Sequence, residues 1–115
     1  MKIIILNIFV FFILFAASAQ PAYTQKVYSC NSKYDADIKV YVVDSKYDAD
    51  LLVYKVDSKY DVNHDGLWYF TDSKYDADKV IYFVDSKYDA DLLIYFVDSK
   101  YDAEWMNKSR KYLVY

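Results

Sequence analysis

From Asp61 the sequence runs Asp61-Val62-Asn63-His64-Asp65-Gly66 and, after an aromatic stretch, returns to a carboxylate at Asp72. Oxygen-bearing side chains at the first, third and fifth positions, glycine at the sixth and a carboxylate at the twelfth are the chemistry of a calcium loop. A hard cation takes about six to eight oxygens, and glycine permits the sharp turn that gathers them. Asp61, Asn63, Asp65 and Asp72 are therefore the candidate ligands, and calcium is the one cofactor the sequence suggests. The competing reading is a tight turn. Asp61 and Asp72 fill positions that the other units also give to Asp, Asn31 of the first unit excepted, and Leu67-Trp68-Tyr69-Phe70 reads as a strand where a calcium loop would lead into a helix.

Paired carboxylates recur elsewhere as D-A-D, at Asp35 and Asp37, Asp48 and Asp50, Asp76 and Asp78, and Asp89 and Asp91. General acid–base work needs two carboxylates in different environments facing one cleft, whereas here one pair is copied along the chain. Capping and solvation of turns explains the pairs better. With His64 as the only histidine, Cys30 as the only cysteine and no glycine-rich phosphate loop, no nucleophile, metal-thiolate or phosphate site can be assembled. The expectation is a protein that is not an enzyme.

The remaining chemistry is aromatic. Twelve of the 15 tyrosines fall in two columns. Tyr28, Tyr41, Tyr54, Tyr69, Tyr82 and Tyr95 follow apolar runs; Tyr34, Tyr47, Tyr60, Tyr75, Tyr88 and Tyr101 sit in the motif S-K-Y-D. The second column is the candidate binding set, because exposed flat rings make platforms for sugars or protein partners. The first is expected to pack, as a ladder if successive units lie side by side at about 4.8 Å.

These residues are positioned by a repeat. The turn motif begins at Ser32, Ser45, Ser58, Ser73, Ser86 and Ser99, at spacings of 13, 13, 15, 13 and 13. Features of the first three units recur 41 residues later, so the domain reads as two three-unit halves. Runs such as 38–43, 51–56, 79–84 and 92–97 are short, β-branched and aromatic, and bounded by Asp and Ser; they predict six short strands. Both faces of each run are apolar, so the strands are expected to be covered on both sides. Connections of about seven residues are too short for helical crossovers, which leaves antiparallel hairpins or a solenoid-like wrap. No glycine stands in the turns; Asp44-Ser45 and its equivalents predict caps on a single right-handed turn of Lys-Tyr-Asp. The fold class is all-β, a compact repeat domain. Phe70, Phe83 and Phe96 stand where the first half has Ser29, Val42 and Lys55, so the second half is expected to supply more of the core.

Residues 1–19 read as a secretory signal peptide: Lys2, an apolar run from Ile3 to Ala17, and Ala17-Ser18-Ala19 before Gln20. Residues 20–24 then form a linker and 25–115 the domain. The expectation is a secreted or periplasmic monomer with no membrane span after cleavage and a partner in the cell envelope or outside the cell. A formal charge of −3 carries no electrostatic footprint for nucleic acid. Cys30 occupies a position held by Val43, Val56, Thr71, Val84 and Val97 in other units and reads as a small apolar residue. The basic Lys108, Arg110 and Lys111 are expected to meet turn carboxylates or solvent, and 112–115 to pair as a last strand.

The recurring V-D-S-K-Y-D-A-D-L-x-x-Y, at Val43 to Tyr54 and again at Val84 to Tyr95, with the closing D-A-E-W-M-N-K-S at Asp102 to Ser109, resembles the bacterial septoil knot domain family. The resemblance covers about residues 25 to 112. It implies a small all-β domain whose backbone forms a seven-crossing torus knot, and it carries no catalytic residue to this chain. The departures are Val62-Asn63 in place of Ala-Asp and the insertion around His64-Asp65-Gly66.

Overall fold

Each strand ends where a serine captures the backbone. In a computed structural model, which describes residues 25–60 and 65–115, Ser45 is extended (φ −130, ψ 135) and its Oγ accepts the Tyr47 N–H at 3.3 Å. Asp48 N–H closes back on the Ser45 carbonyl at 3.0 Å, so Lys46–Asp48 forms one 3-10 turn. Lys33–Asp35, Lys74–Asp76, Lys87–Asp89 and Lys100–Asp102 repeat that geometry behind Ser32, Ser73, Ser86 and Ser99. The capping expected from sequence is present in each. The leader 1–19 and the linker 20–24 lie outside the described residues.

Between turns lie β1 (Gln25–Ser29), β2 (Ile38–Val42), β3 (Leu51–Lys55), β4 (Leu67–Phe70), β5 (Lys79–Phe83) and β6 (Leu92–Phe96), followed by a short β7 (Glu104–Trp105). Their order is β4-β1-β5-β2-β6-β3, and β3 returns to pair with β4, closing a six-stranded barrel. All of these pairings are parallel; only β7 is antiparallel, against the start of β3. The hairpin expectation therefore fails, because no two consecutive strands among the first six are neighbours except β3 and β4. The tyrosine ladder fails for the same reason: Tyr28 lies opposite Val80, Tyr41 opposite Leu93, and Tyr82 opposite Lys39.

Parallel neighbours ordinarily demand long crossovers. Here the stagger of the barrel removes the need. Ser29, ending β1, and Ile38, opening β2, both pair with Ile81, from opposite sides of β5. Val42 and Leu51 share Ile94 in the same way, Phe70 and Lys79 share Val27, and Phe83 and Leu92 share Val40. A connection thus leaves one side of a strand and re-enters on the other at the same height. It spans two strand spacings, about 10 Å, and one 3-10 turn laid across the outside is enough.

A reciprocal clasp fixes each crossing. Asp50 N–H donates to the Leu93 carbonyl at 2.7 Å while Leu93 N–H donates to Asp50 Oδ2 at 2.9 Å. Asp37 clasps Val80, Asp78 clasps Lys26 and Asp91 clasps Lys39 by the same two bonds. The carboxylate supplies the acceptor that a ladder carbonyl would supply if the incoming strand began earlier. The second aspartate of D-A-D therefore joins two strands, a larger role than the turn capping expected from sequence.

Inward residues make one core. Val27, Val40, Leu51, Val53, Trp68, Ile81, Leu92 and Ile94 are fully buried in it. Phe70, Phe83 and Phe96 line the C-terminal mouth of the barrel half-buried, where the equivalent Ser29, Val42 and Lys55 are exposed. Residues after 66 nevertheless do not supply more of the core, because these rings stop at the mouth and the buried core draws on β1–β3 as heavily as on β4–β6. Lys55 Nζ sits 4.6 Å from the centre of the Phe96 ring. On the outer face, the crossings cover Leu52, Val43 and Ala49 in one cluster and Leu67, Val56 and Ala103 in another.

The opposite mouth is plugged by the C-terminus. The expected last strand over 112–115 is instead the end of a 3-10 helix, Lys108–Leu113, because Asn107 Oδ1 accepts the Ser109 N–H and starts a helical turn. That turn delivers Val114, fully buried, into the core, where Gln25 Nε2 donates to its carbonyl. Asp50 anchors the approach: its carbonyl accepts the N–H groups of Met106 and Asn107, and its Oδ1 accepts Asn107 Nδ2.

Asp50→Ala removes a charged acceptor from a backbone N–H at a crossing and is expected to destabilise the domain by about 1.5–3 kcal/mol. Asp48→Ala, on the exposed turn two residues earlier, is expected to stay within about 0.5 kcal/mol. Urea unfolding of the two variants tests the clasp, and equal losses would refute it.

Candidate binding surface

The six turn tyrosines, Tyr34, Tyr47, Tyr60, Tyr75, Tyr88 and Tyr101, are all exposed, between 78% and 92%. They cannot be core residues. In five of the six turns the preceding lysine places its ammonium 5.5–5.8 Å from the ring centre, as Lys46 does over Tyr47. Each ring stands on a turn held by its serine cap, so the platform is rigid at its base.

The barrel brings these rings into grooves that the linear sequence does not reveal. Ser86, Lys87 and Tyr88 face Tyr41, Asp44 and Asp48 across a shallow groove of about 480 Å³. The equivalent residues of other units form a groove of about 370 Å³ with Tyr34 and Tyr82 beside Asp85 and Asp89. A third, of about 490 Å³, has Tyr47 and Tyr95 beside Asp98 and Asp102. Each pairs a turn tyrosine with a strand tyrosine and two or three carboxylates. Sequence reasoning missed the strand tyrosines and the carboxylates as site residues, since the units that meet, such as those of Tyr34 and Asp85, lie far apart along the chain.

The candidate calcium residues fare differently. Asp61 and Asn63, with Val62 and His64, lie outside the described residues. Asp65 is engaged within the fold: its Oδ2 accepts Trp105 Nε1 at 3.0 Å and pairs with Lys111 Nζ at 3.1 Å. Lys111 thus meets a carboxylate as expected for the basic tail. Asp72 is exposed beyond the end of β4, and among the described residues no three metal-ligating side chains come together. Gly66 has φ +96, and a Cβ there would fall 2.7 Å from the Leu52 carbonyl oxygen and 2.9 Å from Ala103 Cβ. The glycine is required by this close approach.

Gly66 N–H donates to the Tyr115 hydroxyl at 3.1 Å. Tyr115 as a whole is 37% exposed, yet its hydroxyl lies among Gly66, Asp65 and Trp68. Burial pushes its pKa up to about 12; the Gly66 N–H pulls it down, the Asp65 carboxylate raises it again, and the Trp68 indole offsets a further part. Trp68 Nε1 is itself buried without a full hydrogen bond among the described residues. Cys30 is half-buried and its thiol approaches the Ser32 carbonyl at 3.1 Å.

Compared with known families, residues 24–106 match the family described as the 7(1) septoil knot domain. The chain belongs to the septoil knot domain family. The match spans all seven strands of this septoil knot domain, apart from the last residues that plug its mouth. No curated protein matches the chain. No helix among the described residues is long and apolar enough to cross a membrane.

Because folding raises the Tyr115 pKa, the neutral hydroxyl is the form the fold favours. Its contribution is complete below about pH 10 and is lost as pH rises toward about 12. The stability difference between the protein and Tyr115→Phe, followed by urea unfolding across that window, is expected to shrink as pH rises; a constant difference would show that the hydroxyl titrates normally.

Proposed function

We propose that this domain is an exported, non-enzymatic binding module that recognises a partner in the cell envelope or outside the cell through its tyrosine-bearing turns. The observation that carries this reading is the exposure of six aromatic rings on capped turns. Rings in water add nothing to the core, whereas rigid aromatic side chains at low entropic cost are the usual anchors of binding surfaces. The repeated grooves, shallow and open, suit surface recognition. A leader at 1–19 would deliver the domain to the compartment where such a partner is met.

We further infer that the chain is two three-unit halves threaded through one another as a torus knot. The alternation of β1, β2 and β3 with β4, β5 and β6, and the passage of the β1–β2, β2–β3, β4–β5 and β5–β6 connections over a strand of the other set, support this reading. Pulling a single molecule by its ends is expected to leave a tightened knot, short of the full extension of about 3.5 Å per residue. Complete extension would show an unthreaded chain.

For recognition, envelope and extracellular fractions passed over immobilised protein and over the double variant Tyr47→Ala, Tyr88→Ala give the test. The variant is expected to fold with unchanged stability and to lose the partner. Equal capture by both proteins would place recognition elsewhere on the barrel.

A further inference from the structure

The three grooves are not separate. Asp85 lines both the groove of Tyr34 and that of Tyr88, and Asp44 lines both the groove of Tyr88 and that of Tyr47. A single track therefore runs over the outside of the barrel as Tyr34, Asp85, Tyr88, Asp44, Tyr47. Its successive grooves lie on β5, β2 and β6, which are adjacent strands. The strand tyrosines of the first two, Tyr82 opposite Lys39 and Tyr41 two residues beyond it, set the step: one strand across and two residues along, about 8 Å at the backbone.

We propose that this track is a row of subsites for one polysaccharide chain without acidic groups. The assignment rests on the tyrosine-turn reading above and names its ligand. A sugar ring offers an apolar C–H face and a rim of hydroxyls; each groove offers tyrosine faces and a set of carboxylate and serine oxygens that accept from hydroxyls. Recurrence of the same groove at a fixed step matches a polymer of identical units better than a single small molecule. Charge narrows the class. Two or three carboxylates against one lysine per groove repel an anionic polymer, which disfavours acidic glycans and nucleic acid. A cationic peptide would meet the ammonium groups of Lys33, Lys87 and Lys46, which already stand over the three turn tyrosines of the track.

Native electrophoresis of the purified protein through gels containing hydroxyethyl cellulose, laminarin, glycol chitin, polygalacturonate or polylysine tests the proposal. At least one uncharged polymer is expected to retard the protein and to bind about 100-fold more tightly than its monosaccharide, since adjoining subsites act together. Tyr88→Ala, in the middle groove, is expected to weaken polymer binding at least tenfold, while Tyr112→Ala, an exposed ring off the track, leaves it unchanged. No retardation by any uncharged polymer, preference for polygalacturonate or polylysine, or indifference to Tyr88→Ala would each overturn it. If glycans fail while capture of a partner still depends on Tyr47 and Tyr88, the ligand assignment alone falls; if neither depends on them, the tyrosine surface falls with it.

Discussion

The fold depends on one residue being paired from both sides by strands that follow one another in the chain. Ile81 receives the end of β1 on one edge and the start of β2 on the other, and Ile94, Val27 and Val40 do the same for the next crossings. Because departure and return are level, a single 3-10 turn replaces the helix that a parallel connection ordinarily uses. The aspartate at each re-entry then makes good the hydrogen bond that the bend would otherwise leave open. A hydrogen bond to a charged acceptor contributes about 1.5–3 kcal/mol, less where the N–H is exposed as at Lys26 and Val80 than where it is half-buried as at Lys39 and Leu93. The four carboxylates together still matter to a small domain's stability.

That solution also shapes the surface. Crossings laid on the outside cover the outer apolar face of each strand, which explains why both faces of the strand runs are apolar. They also lift the middle residue of each turn, always tyrosine, into solvent. The same 3-10 turn therefore closes the connection and displays the ring, while the neighbouring crossing contributes the carboxylates that face it. Function, on this reading, is carried by the connections, and the barrel sets their spacing.

Much of this was legible in the residues. Serine before Lys-Tyr-Asp predicted the capped turn, and β-branched and aromatic runs predicted the strands. The exchange of Ser29, Val42 and Lys55 for Phe70, Phe83 and Phe96 did not give the later strands the larger share of the core, because those rings end at the barrel mouth. Strand order was not legible, because short-range patterning records which faces are apolar and says nothing about which strand lies alongside. The expected tyrosine ladder failed on that point: Tyr28 and Tyr41 belong to consecutive units but are separated by β5. The grooves were hidden for the same reason. Asp37, Asp50, Asp78 and Asp91 looked like turn residues because their partners stand in another part of the sequence.

Alternation of the strands has a consequence for growth of the array. A solenoid gains or loses a repeat at its end with only local effect, since each unit touches its sequence neighbours alone. This barrel has no end, and among β1, β2 and β3 not one pairing exists. A fragment stopping before residue 67 would own three ribbons and nothing to zip them to. Lengthening by a single thirteen-residue unit would set two strands of one set side by side, so the alternation is kept only when units are added in pairs, one to each set.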